Sequence, residues 1–89
     1  MVTLIVTHEV KNFSEWKKGY ENDGINRQQA GIKDVAIFTS ATNPNMVTII
    51  MEAPSMELVN GLMGDAKFQE AMENAGVISV PEVKILNKV

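Results

Sequence analysis

Residues 33–53, KDVAIFTSATNPNMVTIIMEA, decide the fold. Over 33–41, Val35, Ile37 and Thr39 fall on one face of a strand and Ala36 and Phe38 on the other. Over 46–53, Val47, Ile49 and Met51 share one face while Met46, Thr48 and Ile50 share the other. Between the two runs, Thr42-Asn43-Pro44-Asn45 is a turn by its chemistry: Pro44 presets φ, and asparagines tolerate left-handed backbone and bond their own main chain. Strands joined so closely pair as an antiparallel hairpin. Both faces of 46–53 are apolar enough to be buried, so this strand is expected at the centre of a sheet.

Before the hairpin, residues 2–10 (VTLIVTHEV) alternate as a strand, with Val2, Leu4, Val6, His8 and Val10 on one face. Asn12 is placed to cap a helix, with Glu15 three residues on, and Phe13, Trp16 and Tyr20 line one stripe of it. That helix is expected over Phe13 to Asp23, broken at Gly24, with a second helical stretch over 25–30 ending at Gly31. After the hairpin, Pro54-Ser55 stops the strand and Ser55 caps a helix bearing Leu58, Val59, Leu62 and Met63, ended by Gly64. Asp65 can cap its continuation, with Phe68, Ala71, Met72 and Ala75 as the apolar stripe, closed by Gly76. A last strand is expected over 80–89. Its Pro81 has no ladder donor and belongs on an edge or at a strand start.

The order β-α-β-β-α-β is the split-βαβ, ferredoxin-like arrangement: an α+β fold with a four-stranded antiparallel sheet and helices on one face. The 89 residues make one such domain, 1–89. Helices cover one face, and neither sheet face is clearly polar, so the other face needs a partner. A homodimer through the helix-free faces is expected.

Composition narrows the function. A net charge of −3, with seven Lys and one Arg scattered, argues against nucleic acid, whose phosphates need clustered cations. RNA binding on this topology would also need exposed aromatic and basic residues on the central strands, which Val47, Ile49 and Met51 do not offer. The chain has no cysteine, hence no disulfides or thiolate chemistry. No apolar run approaches the roughly 20 residues of a membrane span, and no basic leader opens the chain. A soluble cytoplasmic protein, complete as written, is the expectation.

Few residues carry chemistry. His8 is the sole histidine; it is either a satisfied core residue or a proton acceptor, since its pKa permits proton transfer near neutrality. One His and no Cys form no recognisable metal-ligand set, so neither metal nor cofactor is expected. Trp16 and Tyr20 are either the core stripe of the first helix or the wall of a cleft between helix and sheet. The methionines, Met63 among them, are filler or a plastic lining. Arg27, the sole arginine, reads more as a solvated surface residue than as a partner for a ligand carboxylate or phenolate. The glycines make no phosphate-cradling motif, and the serines have no base nearby in sequence.

The run THEVKNFSEWKKGYENDGINRQQAGI (7–32), the TNPN turn, VTIIMEAPSMELV (47–59) and the closing AGV and PEV together resemble the dimeric α+β barrel superfamily. They are most similar to its antibiotic-biosynthesis-monooxygenase-like and polyketide-cyclase-like small proteins. The resemblance spans nearly the whole chain; its most specific part is His8-Glu9-Val10 followed by the Trp16 and Tyr20 helix. It implies a homodimer with facing sheets and a small-molecule cleft between sheet and helices. Cofactor-independent monooxygenase or cyclase-like chemistry is one implied function; a non-enzymatic ligand-sensing or protein-interaction module is the other. Haem degradation is disfavoured, because residues 55–75 hold no histidine. His8 as proton acceptor, with Trp16, Tyr20, Asn60, Met63 and Phe68 around a ligand, is the expected site.

Overall fold

The computed structural model describes the backbone of residues 1–89 and all side chains except those of Met63, Lys67, Phe68, Gln69 and Ala71. In chain order the elements are β1 (Val2–Glu9), α1 (Phe13–Asn22), α2 (Gly24–Gln29), β2 (Lys33–Thr39), β3 (Met46–Ala53), α3 (Met56–Met63), α4 (Ala66–Asn74) and β4 (Glu82–Leu86). The sheet order is β2-β3-β1-β4 with every pairing antiparallel. This is the ferredoxin-like α+β topology, with β1 and β3 central. Both helical arms break as the glycines dictate, α1 giving way to α2 at Asp23-Gly24 and α3 to α4 at Gly64-Asp65. Asn12 and Ser55 cap α1 and α3, accepting from the backbone N–H of Glu15 and Leu58.

Two glycines are required by geometry. Gly31 (φ 83°) and Gly76 (φ 92°) end the two arms in left-handed backbone, the C-terminal stop that residues with a Cβ rarely adopt. The last strand is shorter than the sequence predicts: pairing begins only at Glu82, because Pro81 cannot donate and the chain before it departs from the ladder. The β2 strand carries an irregularity between Asp34 and Ala36, which leaves Val35 half exposed and turns Asp34 toward the helices.

Side-chain alternation sets which face is covered. Leu4, Val6 and His8 of β1, Val10 just beyond it, and Val47, Ile49 and Ala53 of β3 are buried. Two clusters lie under the helices, one of Leu4, Ile32, Ala53 and Val59, the other of Val10, Trp16, Val47 and Ile49, with Met51 touching both. Val47, Ile49 and Met51 therefore lie beneath the helices. The helix-free face carries Thr3, Ile5, Thr7, Glu9, Met46, Thr48, Ile50 and Glu52 on the central strands, flanked by Ala36 and Phe38, the last 55% exposed, on one side and by Glu82 and Lys84 on the other. It is a mixed surface with threonines and aliphatic side chains at its centre and charged residues toward its margins, and the Thr7 and Thr48 hydroxyls meet across it at 3.1 Å. On β1 and β3 this face, too, presents neither an aromatic ring nor a basic side chain. No helix is long and apolar enough to cross a membrane among the described residues.

Candidate functional site

The sheet brings His8 beneath the first helix. On β1, paired with Val47, it points to the covered face in phase with Val6 and Val10. Asn12 starts α1 just beyond the strand, and the side chain of Asn45, at the end of the hairpin turn, accepts from the Phe13 N–H at 3.1 Å. That start sets the α1 stripe over the sheet. Phe13, Trp16 and Tyr20 then stack in a column, with ring centroids 6.0 Å and 5.0 Å apart. The His8 imidazole meets Trp16 edge-on at 5.6 Å.

His8 is only 4% exposed, and its Nδ1 is buried without a hydrogen-bond partner. Burial holds its pKa below the ordinary 6.5, with its own backbone pulling weakly the other way. The ring is neutral at pH 7. A buried polar atom left without a partner costs free energy, so such atoms are uncommon in native folds and repay attention.

The far end of the column is locked by charge. Arg27 lies over the Tyr20 ring, 3.5 Å from its centroid, and makes a forked pair with Asp34, Nε to Oδ1 at 3.0 Å and Nη2 to Oδ2 at 3.2 Å. Tyr20 donates its hydroxyl to the same Asp34 Oδ1 at 2.8 Å. Burial, the Asp34 hydrogen bond and the Asp34 charge raise the phenol's pKa against the pull of Arg27, and Tyr20 stays protonated. Burial alone would raise the Asp34 carboxyl, but the Arg27 and Tyr20 hydrogen bonds and the Arg27 charge outweigh it and hold the group below its usual range. Arg27, read from sequence as solvated, is 13% exposed and structural. Nothing in the sequence gave Asp34 this part; only the β2 irregularity turns it inward.

The structure thus joins His8, Trp16 and Tyr20 and does not bring Asn60 to them. Asn60 is exposed on α3, whose Val59 packs at the Leu4 end of the sheet. Met63 and Phe68 lie among the side chains outside the description. Trp16, at 4% exposure, fills the space beside His8 instead of walling an open cleft. One recess, lined in part by Gly24, Gln28 and Ile32, opens outside the Tyr20 end. A second lies between α4 and the segment leading into β4. Neither is lined by His8, Trp16 or Tyr20. Among the described residues, no three His, Asp or Glu side chains gather into a metal-binding group.

No protein-family model matches the chain, and no curated protein does. Solved structures do. An antibiotic biosynthesis monooxygenase-like protein from Bordetella bronchiseptica aligns over 99% of this chain and 96% of its own at TM-score 0.78 and 20% identity. A protein from Agrobacterium tumefaciens aligns over 100% and 94% at TM-score 0.66 and 26% identity. A NIPSNAP domain protein from Burkholderia xenovorans aligns over 100% and 95% at TM-score 0.68 and 14% identity. At such identities the likeness is one of backbone, and it extends from end to end of the chain. The chain therefore carries the ferredoxin-like α+β fold of the antibiotic biosynthesis monooxygenase-like proteins.

Proposed function

We propose that this chain works in the cytoplasm as a homodimer that binds a small, mostly apolar or aromatic metabolite, and that His8 accepts a proton from it in cofactor-independent oxygenase or cyclase-like chemistry. The observation that carries this reading is the buried His8 Nδ1 with no protein partner, pressed against Trp16. A neutral imidazole with a lowered pKa is in the right form to accept a proton, yet it is a weaker base than free histidine. It suits a phenolic or enolic hydrogen, whose removal leaves a delocalised anion. In the oxygenase case that anion is the electron donor and dioxygen the oxidant; in the cyclase case it is the carbon nucleophile. Because His8 is covered, the side chains around it must give way when a ligand binds.

The dimer rests on the helix-free face, where Ile5, Met46, Ile50 and Phe38 surround the threonine row. A patch of exposed aliphatic and aromatic side chains with a polar rim, here Glu9, Glu52, Glu82 and Lys84, is the pattern of an interface, and a stable interface buries on the order of 1,600 Å² in total. Light scattering at low micromolar concentration gives a dimer mass; a folded monomer contradicts it. For the chemistry, phenols and polyketide-like ketones are screened by oxygen consumption and product formation, and His8→Gln lowers kcat roughly 10²-fold or more while sparing KM. An unchanged rate in that variant removes His8 from the reaction.

A non-enzymatic ligand-sensing or interaction module is the second reading. It is favoured by the close packing of Trp16 between Phe13 and Tyr20, which leaves no recess of the two described open onto His8. Binding without turnover across the screen would support it.

A further inference from the structure

The β1–β4 seam is not a continuous ladder. Regular pairing runs from Thr3–Leu86 to Thr7–Glu82, and the strands meet again only at the Val10–Val77 bridge. Between these points β1 has two residues, His8 and Glu9, while the opposite strand has four, Ile78 to Pro81. The extra residues bow outward, and Ser79 repairs the gap: its Oγ accepts the Glu9 N–H at 2.8 Å, while the Glu9 carbonyl accepts the Ile78 N–H at 2.9 Å. A bulge that re-aims backbone in this way is a common feature next to functional sites.

Between this bulge and α4 lies a cleft of about 500 Å³, within the range of small-molecule pockets. Met72, Val77, Pro81 and Val83 give it apolar walls, and among the described residues Glu73 and Ser79 bring polar side chains to it. Two contacts tie it to the buried histidine. Val83 pairs with Val6, the residue next to His8 on the covered face, and Val77 packs on the cluster that holds Trp16. The opposite approach, along α1, is closed by the Tyr20, Arg27 and Asp34 lock.

We propose that the cleft between α4 and the bulged β1–β4 seam is the small-molecule site, and that it takes an uncharged, largely apolar molecule bearing one hydrogen-bond donor. This rests on the reading that the chain binds a small molecule, and it locates the ligand on the α4 side of His8. The walls select apolar rings. The Glu73 carboxylate accepts the donor and repels anions.

N-phenyl-1-naphthylamine, an uncharged aromatic amine with one N–H that fluoresces in apolar surroundings, is the probe. Its emission should rise and saturate at one probe per chain. The sulfonated relative 8-anilino-1-naphthalenesulfonate should bind more weakly, and Glu73→Gln, which keeps an acceptor oxygen but removes the charge, should improve its binding about threefold while weakening the uncharged probe by about threefold or less. Val83→Phe, which fills the cleft, should weaken the uncharged probe about tenfold with the circular dichroism spectrum retained. If Val83→Phe does not fold, the Glu73→Gln comparison decides. His8→Gln should keep probe affinity, so a failure of the proton-transfer chemistry and a failure of this site are told apart. No binding of the uncharged probe to the wild type, equal binding to folded Val83→Phe, or indifference of the sulfonated probe to Glu73→Gln overturns the proposal. Probe-driven dissociation of a dimer also overturns it, since the cleft would then be a seam between two copies.

Discussion

Replacing His8 by Leu should leave the protein as stable as before or more so. The imidazole is 4% exposed and its Nδ1 has no partner. An unsatisfied buried polar group costs about 1–3 kcal/mol, and an apolar side chain of similar volume removes that cost. What is lost is the edge-on contact with Trp16, worth about 0.5–1.5 kcal/mol. The difference runs from about 0.5 kcal/mol against leucine, close to neutral, to about 2.5 kcal/mol in its favour, and each kcal/mol shifts Tm by roughly 4–8 °C in a domain of this size. Urea unfolding at pH 7.5, followed by circular dichroism at a fixed protein concentration, measures it; the concentration is held because a dimer's stability depends on it. A histidine kept at a cost to stability is one kept for its chemistry. A loss of more than about 1 kcal/mol in His8→Leu would refute the reasoning and make His8 a structural residue.

Acid should separate the same two proteins. Burial lowers the His8 pKa below 6.5, so near and below that pH the unfolded chain binds more protons than the folded one. The contribution is therefore full above about pH 6.5 and is lost as pH falls from there. Urea midpoints at pH 7.5 and 5 should show this loss in the wild type and not in His8→Leu. Asp34, whose pKa is lowered, adds stability that is full above about pH 3.8 and lost as pH falls through its folded pKa; Asp34→Asn should flatten that second, more acidic limb in a pH series of melting curves. Trp16→Ala, which empties the centre of the aromatic column, should cost about 3–5 kcal/mol by denaturant titration; a cost under about 1 kcal/mol would mean that the column is not core. Gly31→Ala should cost about 1–2 kcal/mol, because the residue has φ 83° and a Cβ would stand 2.9 Å from the Pro54 Cγ. A neutral effect on the melting curve would contradict the left-handed assignment.

Period and punctuation made most of the fold legible before the structure. The strict alternation of 2–10 and 46–53 placed the central strands, and Gly24, Gly31, Gly64 and Gly76 placed the breaks and ends of the arms. Alternation says which residues share a face but not which face the helices take. The helix-free face could thus be mistaken for the Val47 face. The site was legible in its local part: His8, Trp16 and Tyr20 are in phase on a strand and a helix joined by a short link, so that they meet follows from spacing. What could not be read depends on irregular backbone. Asp34 reaches Tyr20 and Arg27 only because β2 slips in register, and the cleft beside α4 exists only because four residues stand opposite two. Asn60 stands apart from His8, Trp16 and Tyr20 because helix phase does not say at which end of the sheet a helix packs.

Everything chemical proposed for this fold turns on one imidazole held neutral and without a protein partner. The chain has a single histidine, so its ring resonances can be followed by NMR through a pH titration without interference from another. Titration with an apparent pKa below 6.5 is the predicted result. A pKa at or above 6.5 would mean that His8 is solvated or paired in solution, and would contradict its part as the buried proton acceptor.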